Sequence, residues 1–254
     1  MNEIVKVDMG DRDKSGNVIL REVLKVDANG HPPLCDCYTA QLFENYNASS
    51  GMKPNERERF FETAIIDNEN RLHFSQAQNF VKNIGAHLKV GTWLYIYGDE
   101  TRAARRGVSA YGTGKSYLTH CIGNELTKLK QRAIYVTENE LFQEIKNTYR
   151  KDANESEADV LNRFYNVPIL LIDDLFKSQY KDWAEDRMFH LLENRYCPGR
   201  VTIINSNYAP NRVYMAMERN GNAVTSRILG QAALIEMIGT DRRPKKPQRG
   251  PGSI

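Results

Sequence analysis

No apolar run in this 254-residue chain approaches the ~20 residues needed to cross a bilayer, so a membrane-spanning role is not expected. Cysteine is scarce. Four residues at scattered positions form no disulfide framework and point to a reducing, cytoplasmic setting. Charge of one sign is missing too: 35 basic residues nearly balance 32 acidic ones, and the resulting +3 does not by itself mark a nucleic-acid binder. Met1 to Asp8 lacks the basic-then-apolar order of a secretory signal, and no internal repeat is present. The length suits one α/β domain with a small appendage.

What is present is an alternation of helix and strand patterns from about Gly51 onward. Residues 1–50 are polar, with strand-like runs at Asn17–Leu20 and Val23–Val26. Apolar spacing of three and four predicts a helix over Leu72–Leu88. Further helices are expected at Lys115–Leu129, Glu138–Arg150, Glu155–Tyr165, Tyr180–Tyr196, Asn211–Met217 and Ala223–Leu229. Strands are expected at Trp93–Tyr97, Ala133–Val136, Val167–Leu175, Val201–Asn205 and Leu234–Ile238. The nearly continuous apolar run of Val167–Leu175 is that of a central parallel strand buried on both faces. The pattern implies an α/β fold: a parallel sheet flanked by helices, plus a small N-terminal segment. Three divisions follow: 1–50 as a partner-docking segment, 51–240 as the main domain, and 241–254 as a basic disordered tail. That tail holds five Lys/Arg against one Asp, with three prolines and two glycines.

Between the first strand and its helix lies Ser109-Ala110-Tyr111-Gly112-Thr113-Gly114-Lys115-Ser116. Glycines let backbone N–H groups wrap phosphates, and the following helix aims its positive end at them. Gly112, Thr113, Gly114, Lys115, Ser116 and Tyr117 are the expected nucleotide contacts. Lys115 would reach the β- and γ-phosphates of ATP, and Ser116 would ligate Mg2+. The first glycine of such a loop should fall at position 109, which is Ser109. Gly98 is the ordinary place for it, but Asp99–Ser109 intervenes. This stretch reads as an insertion carrying Arg102, Arg105 and Arg106, with Ser109 standing in for glycine. Downstream, the apolar strand ends in Asp173-Asp174. Asp173 is expected on the metal and Asp174 near the attacking water.

With these motifs the sequence resembles the DnaC/DnaI/IstB group of AAA+ ATPases. The resemblance is carried by Gly112–Ser116, by Ile172-Asp173-Asp174-Leu175, and above all by Glu193-Asn194-Arg195-Tyr196 followed by Thr202-Ile203-Ile204-Asn205-Ser206-Asn207-Tyr208. It covers roughly Gly51 to Arg243 and implies a P-loop AAA+ core that binds and hydrolyses ATP. It further implies that Asn207 is the polar sensor beside the γ-phosphate, and that Arg227, in Ser226-Arg227-Ile228, is an arginine finger for the next subunit of a homo-oligomer. Arg242 or Arg243 falls where a second sensor arginine would lie. The group comprises helicase loaders of DNA replication and transposase helpers, so the implied partners are a replicative DNA helicase and single-stranded DNA. Lys146, Tyr149, Arg150 and Lys151 cluster where the group carries a DNA-contacting insertion, and cations with an aromatic suit a single strand.

The N-terminal part departs from the loaders. Cys35-Asp36-Cys37 with His31 supplies only half of a zinc ribbon, so zinc is not expected. Two other readings stand beside the loader: an IstB-like transposase helper, and a nucleotide-gated DNA-binding module with little turnover. The insertion, and Asp174 where Glu is commoner, both favour slow hydrolysis.

Overall fold

The computed structural model describes residues 4–12, 18–24, 51–177, 179–197 and 199–243. The chain divides into two compact units, Met1–Tyr46 and Asn47–Ile254. In the first, β1 (Ile4–Arg12) pairs antiparallel with β2 (Val18–Leu24). The strand-like runs expected at 17–20 and 23–26 thus fall largely on one strand, and β1 was not foreseen. His31, Cys35 and Cys37 lie outside the described residues.

The second unit runs α1 (Arg71–Lys82), α2 (Ile84–Val90), β3 (Trp93–Tyr97), α3 (Glu100–Arg105), α4 (Lys115–Lys128), β4 (Ala133–Thr137) and α5 (Glu138–Asn147). It continues with α6 (Glu157–Asn166), β5 (Ile169–Leu175), α7 (Asp182–Tyr196), β6 (Val201–Ser206), a 3-10 helix (Pro210–Met215), α8 (Gly221–Gln231) and β7 (Ala232–Glu236). The five strands from β3 onward form one wholly parallel sheet in the order β4-β5-β6-β3-β7. The helix expected over 72–88 breaks at Asn83, whose side chain bonds back to the Asn79 carbonyl at 2.8 Å. The stretch expected at 211–217 closes as a 3-10 helix instead.

Strand alternation divides the core into two layers. Trp93, Tyr95, Leu170, Ile172 and Ile204 face one way, packing with α5, α6, α7 and α8. Leu94, Ile96, Ile169, Leu171, Val201 and Ile203 face the other, against α1 and α4. Each fully buried Leu or Ile contributes roughly 1.5–3 kcal/mol. Arg195, fully buried, donates to the carbonyls of Phe164, Val167 and Val201 and to the Thr202 hydroxyl. The Asn-Arg-Tyr element is therefore a tie joining α6, the entry to β5 and the start of β6. Removing one partner of such a buried charge typically costs ~3–5 kcal/mol.

Candidate nucleotide site

The site forms at the carboxyl ends of β3, β5 and β6, where the α4 N-terminus arrives. Gly98 follows β3 directly, in contact with Ala110, and a Cβ at Gly98 would sit 2.5 Å from the Ala110 carbonyl oxygen. The insertion therefore leaves and returns at one point, and Gly98 takes the place of the first loop glycine across the gap. Ser109 does not stand in for it: its hydroxyl bonds Tyr111, and its backbone forms an antiparallel bridge with Gly239. The excursion between is ordered, with Asp99 capping α3 through the Arg102 N–H, and with Arg102 paired to Glu236.

Gly112 and Gly114 adopt φ of +65° and +100°, which a side chain would oppose. Lys115 is buried and donates from Nζ to the Ala110 carbonyl at 2.8 Å; burial lowers its ammonium to about 8. Thr113 bonds the Met237 carbonyl at 3.1 Å, and the Arg242 N–H bonds the Gly112 carbonyl at 2.8 Å. Asp241 and Arg243 crowd Gly112, while Arg242 pairs with Asp67 at 2.8 Å. The Arg242 backbone ties this segment to the loop, while Asp241 and Arg243 pair with each other. Residues from 244 lie outside the described ones.

The Ser116 hydroxyl donates to Asp173 Oδ1 at 3.1 Å. The register pairs Ile172 with Ile204, so Asn205 stands level with Asp173 on the α4 side. Asn205 Nδ2 donates to Asp173 Oδ1 and, at 3.2 Å, to Ser116 Oγ. Asn205 Oδ1 is buried with no hydrogen-bond partner among the described residues. Burial raises Asp173 above the usual carboxylate range, while Tyr135 donates to its Oδ2 at 2.8 Å. Ser116, Asp173 and the unpaired amide oxygen are hard oxygen donors that suit Mg2+ with part of its water shell.

Asp174 has φ +56°, at an irregularity between Ile172 and Leu175, and its carboxylate pairs with Lys177 at 3.0 Å. Glu138, buried, fixes this turn by accepting from the Phe176 N–H at 2.6 Å, the Lys177 N–H at 3.2 Å and the Tyr180 hydroxyl. Asn207 follows the end of β6, past the residue level with Asp173, and its side chain has no hydrogen bond among the described residues. The Tyr117 ring lies 6.4 Å from that of Phe74, centroid to centroid, with the Arg59 guanidinium over it. Arg227 on α8 pairs with Glu193 and lies over Phe189 and Tyr196.

Asn205, Tyr135 and Glu138 were not singled out from sequence. Strand parity alone puts Asn205 and Asp173 on one face, but only the register makes them neighbours.

A phosphate loop between a central parallel strand and its helix, facing an acidic strand end across one intervening strand, defines the AAA+ class of P-loop ATPases. The bacterial DnaA ATPase domain profile matches residues 55–228, and the chain belongs to that family. It is 27% identical to the chromosomal replication initiator protein DnaA of Thermoanaerobacter sp. (strain X514) over 69% of this chain and 36% of that protein. It is 26% identical to the replicative helicase loader DnaI of Bacillus subtilis (strain 168) over 72% of this chain and 58% of the loader. The chain thus spans between about one third and three fifths of these relatives. Its fold matches a replication initiator DnaA bound to AMPPCP and single-stranded DNA, with TM-score 0.55, 24% identity and coverage of 73% of this chain and 50% of that one. Among the described residues no helix is long and apolar enough to cross a membrane.

Proposed function

We propose that the protein is an ATP-hydrolysing loader that places a replicative DNA helicase on single-stranded DNA, working as a cytoplasmic homo-oligomer. The observation that carries the nucleotide half of this reading is the Ser116–Asp173–Asn205 cluster at the mouth of the Gly112–Ser116 loop. Backbone N–H groups of residues 112–116 cradle the phosphates, and Lys115 exchanges the Ala110 carbonyl for phosphate oxygens. Ser116 and Asp173 would hold Mg2+, and the ion would supply charge neutralisation at the phosphates. Asp174 orients the attacking water once it parts from Lys177, and Asn207 lines the same end of the sheet. Arg227 leaves Glu193 to reach the nucleotide of a neighbouring subunit.

The DNA half rests on Tyr149 and Trp183, whose rings meet edge-on at 6.2 Å, with Lys146 over Trp183 at 5.5 Å and Arg150 and Lys151 nearby. Tyr149 is exposed and Trp183 half-buried, and an aromatic edge beside a cation suits a stacked single strand. The helicase-loader name of the Bacillus subtilis relative supports the choice of partner. Because Asp174 is engaged by Lys177, basal turnover is expected to be slow, which keeps the nucleotide-gated module as the second reading.

Steady-state ATP hydrolysis with single-stranded DNA, with duplex DNA and without DNA tests this, with Lys115→Ala as control. The loader requires turnover that rises with single strands and vanishes in the variant. Stimulation by duplex alone favours a transposase helper. ATP binding without turnover in any condition leaves the gated module.

A further inference from the structure

Behind Asp173, on the side away from Ser116, runs a buried file of polar groups. Tyr135 donates its hydroxyl to Asp173 Oδ2 at 2.8 Å. The same phenol oxygen lies 2.8 Å from His120 Nε2, and His120 Nδ1 lies 2.8 Å from Arg59 Nη1. Asp173, Tyr135 and His120 are respectively 5%, 3% and 2% exposed, so water does not compete for these bonds. Arg59, half-buried, is where the file meets the surface.

The order of donors is forced. A guanidinium cannot accept, so Nδ1 of His120 must. The imidazole proton then sits on Nε2 and goes to the Tyr135 oxygen, whose own hydrogen is left for Asp173. Arg59, His120, Tyr135 and Asp173 thus form one directed chain with a single tautomer. Its outer end is also fixed. Asn124 on α4 donates to the carbonyls of Glu56 and Arg59 at 2.8 and 2.7 Å, pinning that turn to the helix that carries Ser116.

Resting on the Mg-nucleotide reading of the site, we infer that Arg59, His120 and Tyr135 are positioning residues that aim the Asp173 carboxylate at the metal and link its aim to the Lys53–Arg59 turn. Asp173 Oδ1 faces Ser116 and Asn205; with Oδ2 held from behind, the carboxylate cannot rotate out of the metal position. Partners of this kind typically change metal affinity by about 10–100-fold when removed. Because coupling is reciprocal, whatever displaces Arg59 loosens Mg-nucleotide, and Mg-nucleotide in turn stiffens the Lys53–Arg59 turn.

The test is binding of a fluorescent ATP analogue to the full chain, titrated with Mg2+ and repeated in chelator, with thermal melts alongside. Tyr135→Phe should raise the Mg2+ midpoint about tenfold while leaving chelator binding and Tm near wild type. Arg59→Gln, at the half-buried end, should raise it by less, and in the double variant it should add nothing once the phenol is gone. An unmoved midpoint in either single variant, additive shifts, or an equal loss of binding in chelator would overturn the relay. If Tyr135→Phe does not fold, Arg59→Gln alone carries the test. Wild-type protein that binds no nucleotide would instead overturn the nucleotide reading itself.

Discussion

Burial lowers the Lys115 ammonium to about 8, because its Nζ is held out of reach of water. Nearby Asp174 and Asp173 push in the opposite direction without winning. A lysine whose folded value lies below its unfolded one sheds its proton first in the folded chain. The nucleotide-free protein is therefore relatively stabilised as pH rises from about 8 toward 10.5, and the charge that phosphates need is lost over the same window. Affinity for an ATP analogue should fall by up to about tenfold per pH unit above 8. Lys115→Arg, if it still binds, should show a flat profile there, since a guanidinium stays charged. Fluorescence titrations between pH 7 and 10 decide the matter, and equal profiles for the two proteins would refute the assignment. At the same scale, burial lowers His120 to about 4, so its ring is neutral at ordinary pH, in keeping with its donor order toward Tyr135.

The excursion between β3 and α4 interrupts a phosphate loop without disturbing it. Gly98 and Ala110 touch, so the eleven residues Asp99–Ser109 are spliced in at a closed base. Excision joining Gly98 to Ala110 should leave ATP-analogue affinity within about fivefold, since relinking two adjacent points costs little loop entropy. Gly98→Val should cost more than tenfold, because a branched side chain there would press on the Ala110 backbone at the loop's entry; a misplaced loop of this kind costs ~1–3 kcal/mol. Calorimetric titration of the two variants separates them. An excised protein that folds but cannot bind would mean that α3, through Arg102 and Glu236, supports the loop from outside. The carboxyl-terminal strap is a second such element. Gly239 bonds Ser109 and Arg242 bonds Gly112, so the loop's position depends on residues more than a hundred positions downstream.

Over the whole molecule, the nucleotide loop and Arg227 belong to different surfaces, since Arg227 is on α8 among Glu193, Phe189 and Tyr196. If the arginine serves a neighbour, subunits carrying Lys115→Ala and subunits carrying Arg227→Ala fail for different reasons and can complement. Each alone should lose at least about tenfold in DNA-stimulated turnover, and an equimolar mixture should recover a sizeable part of it. Turnover of Arg227→Ala equal to wild type would make Arg227 a prop for Glu193 within its own chain.

Much of the architecture is written locally. Trp93–Tyr97 is the strand that its aromatic and β-branched residues predict, and the apolar run into Asp173 is buried on both faces. GTGKS at a strand-to-helix junction indicates a phosphate loop before any coordinates exist, because no other local arrangement serves those residue types as well. Three things were not local. Asp173 gains Asn205 as a neighbour, and strand register decides this rather than composition. Gly98 completes the phosphate loop across an eleven-residue gap, and only close approach in space restores it. Arg59, His120 and Tyr135, from a turn, a helix and a strand, become one file behind the metal carboxylate. Sequence periodicity fixes which face a side chain takes. Which side chains on that face meet depends on the register and packing of whole elements, and these are set by the burial of both core layers together.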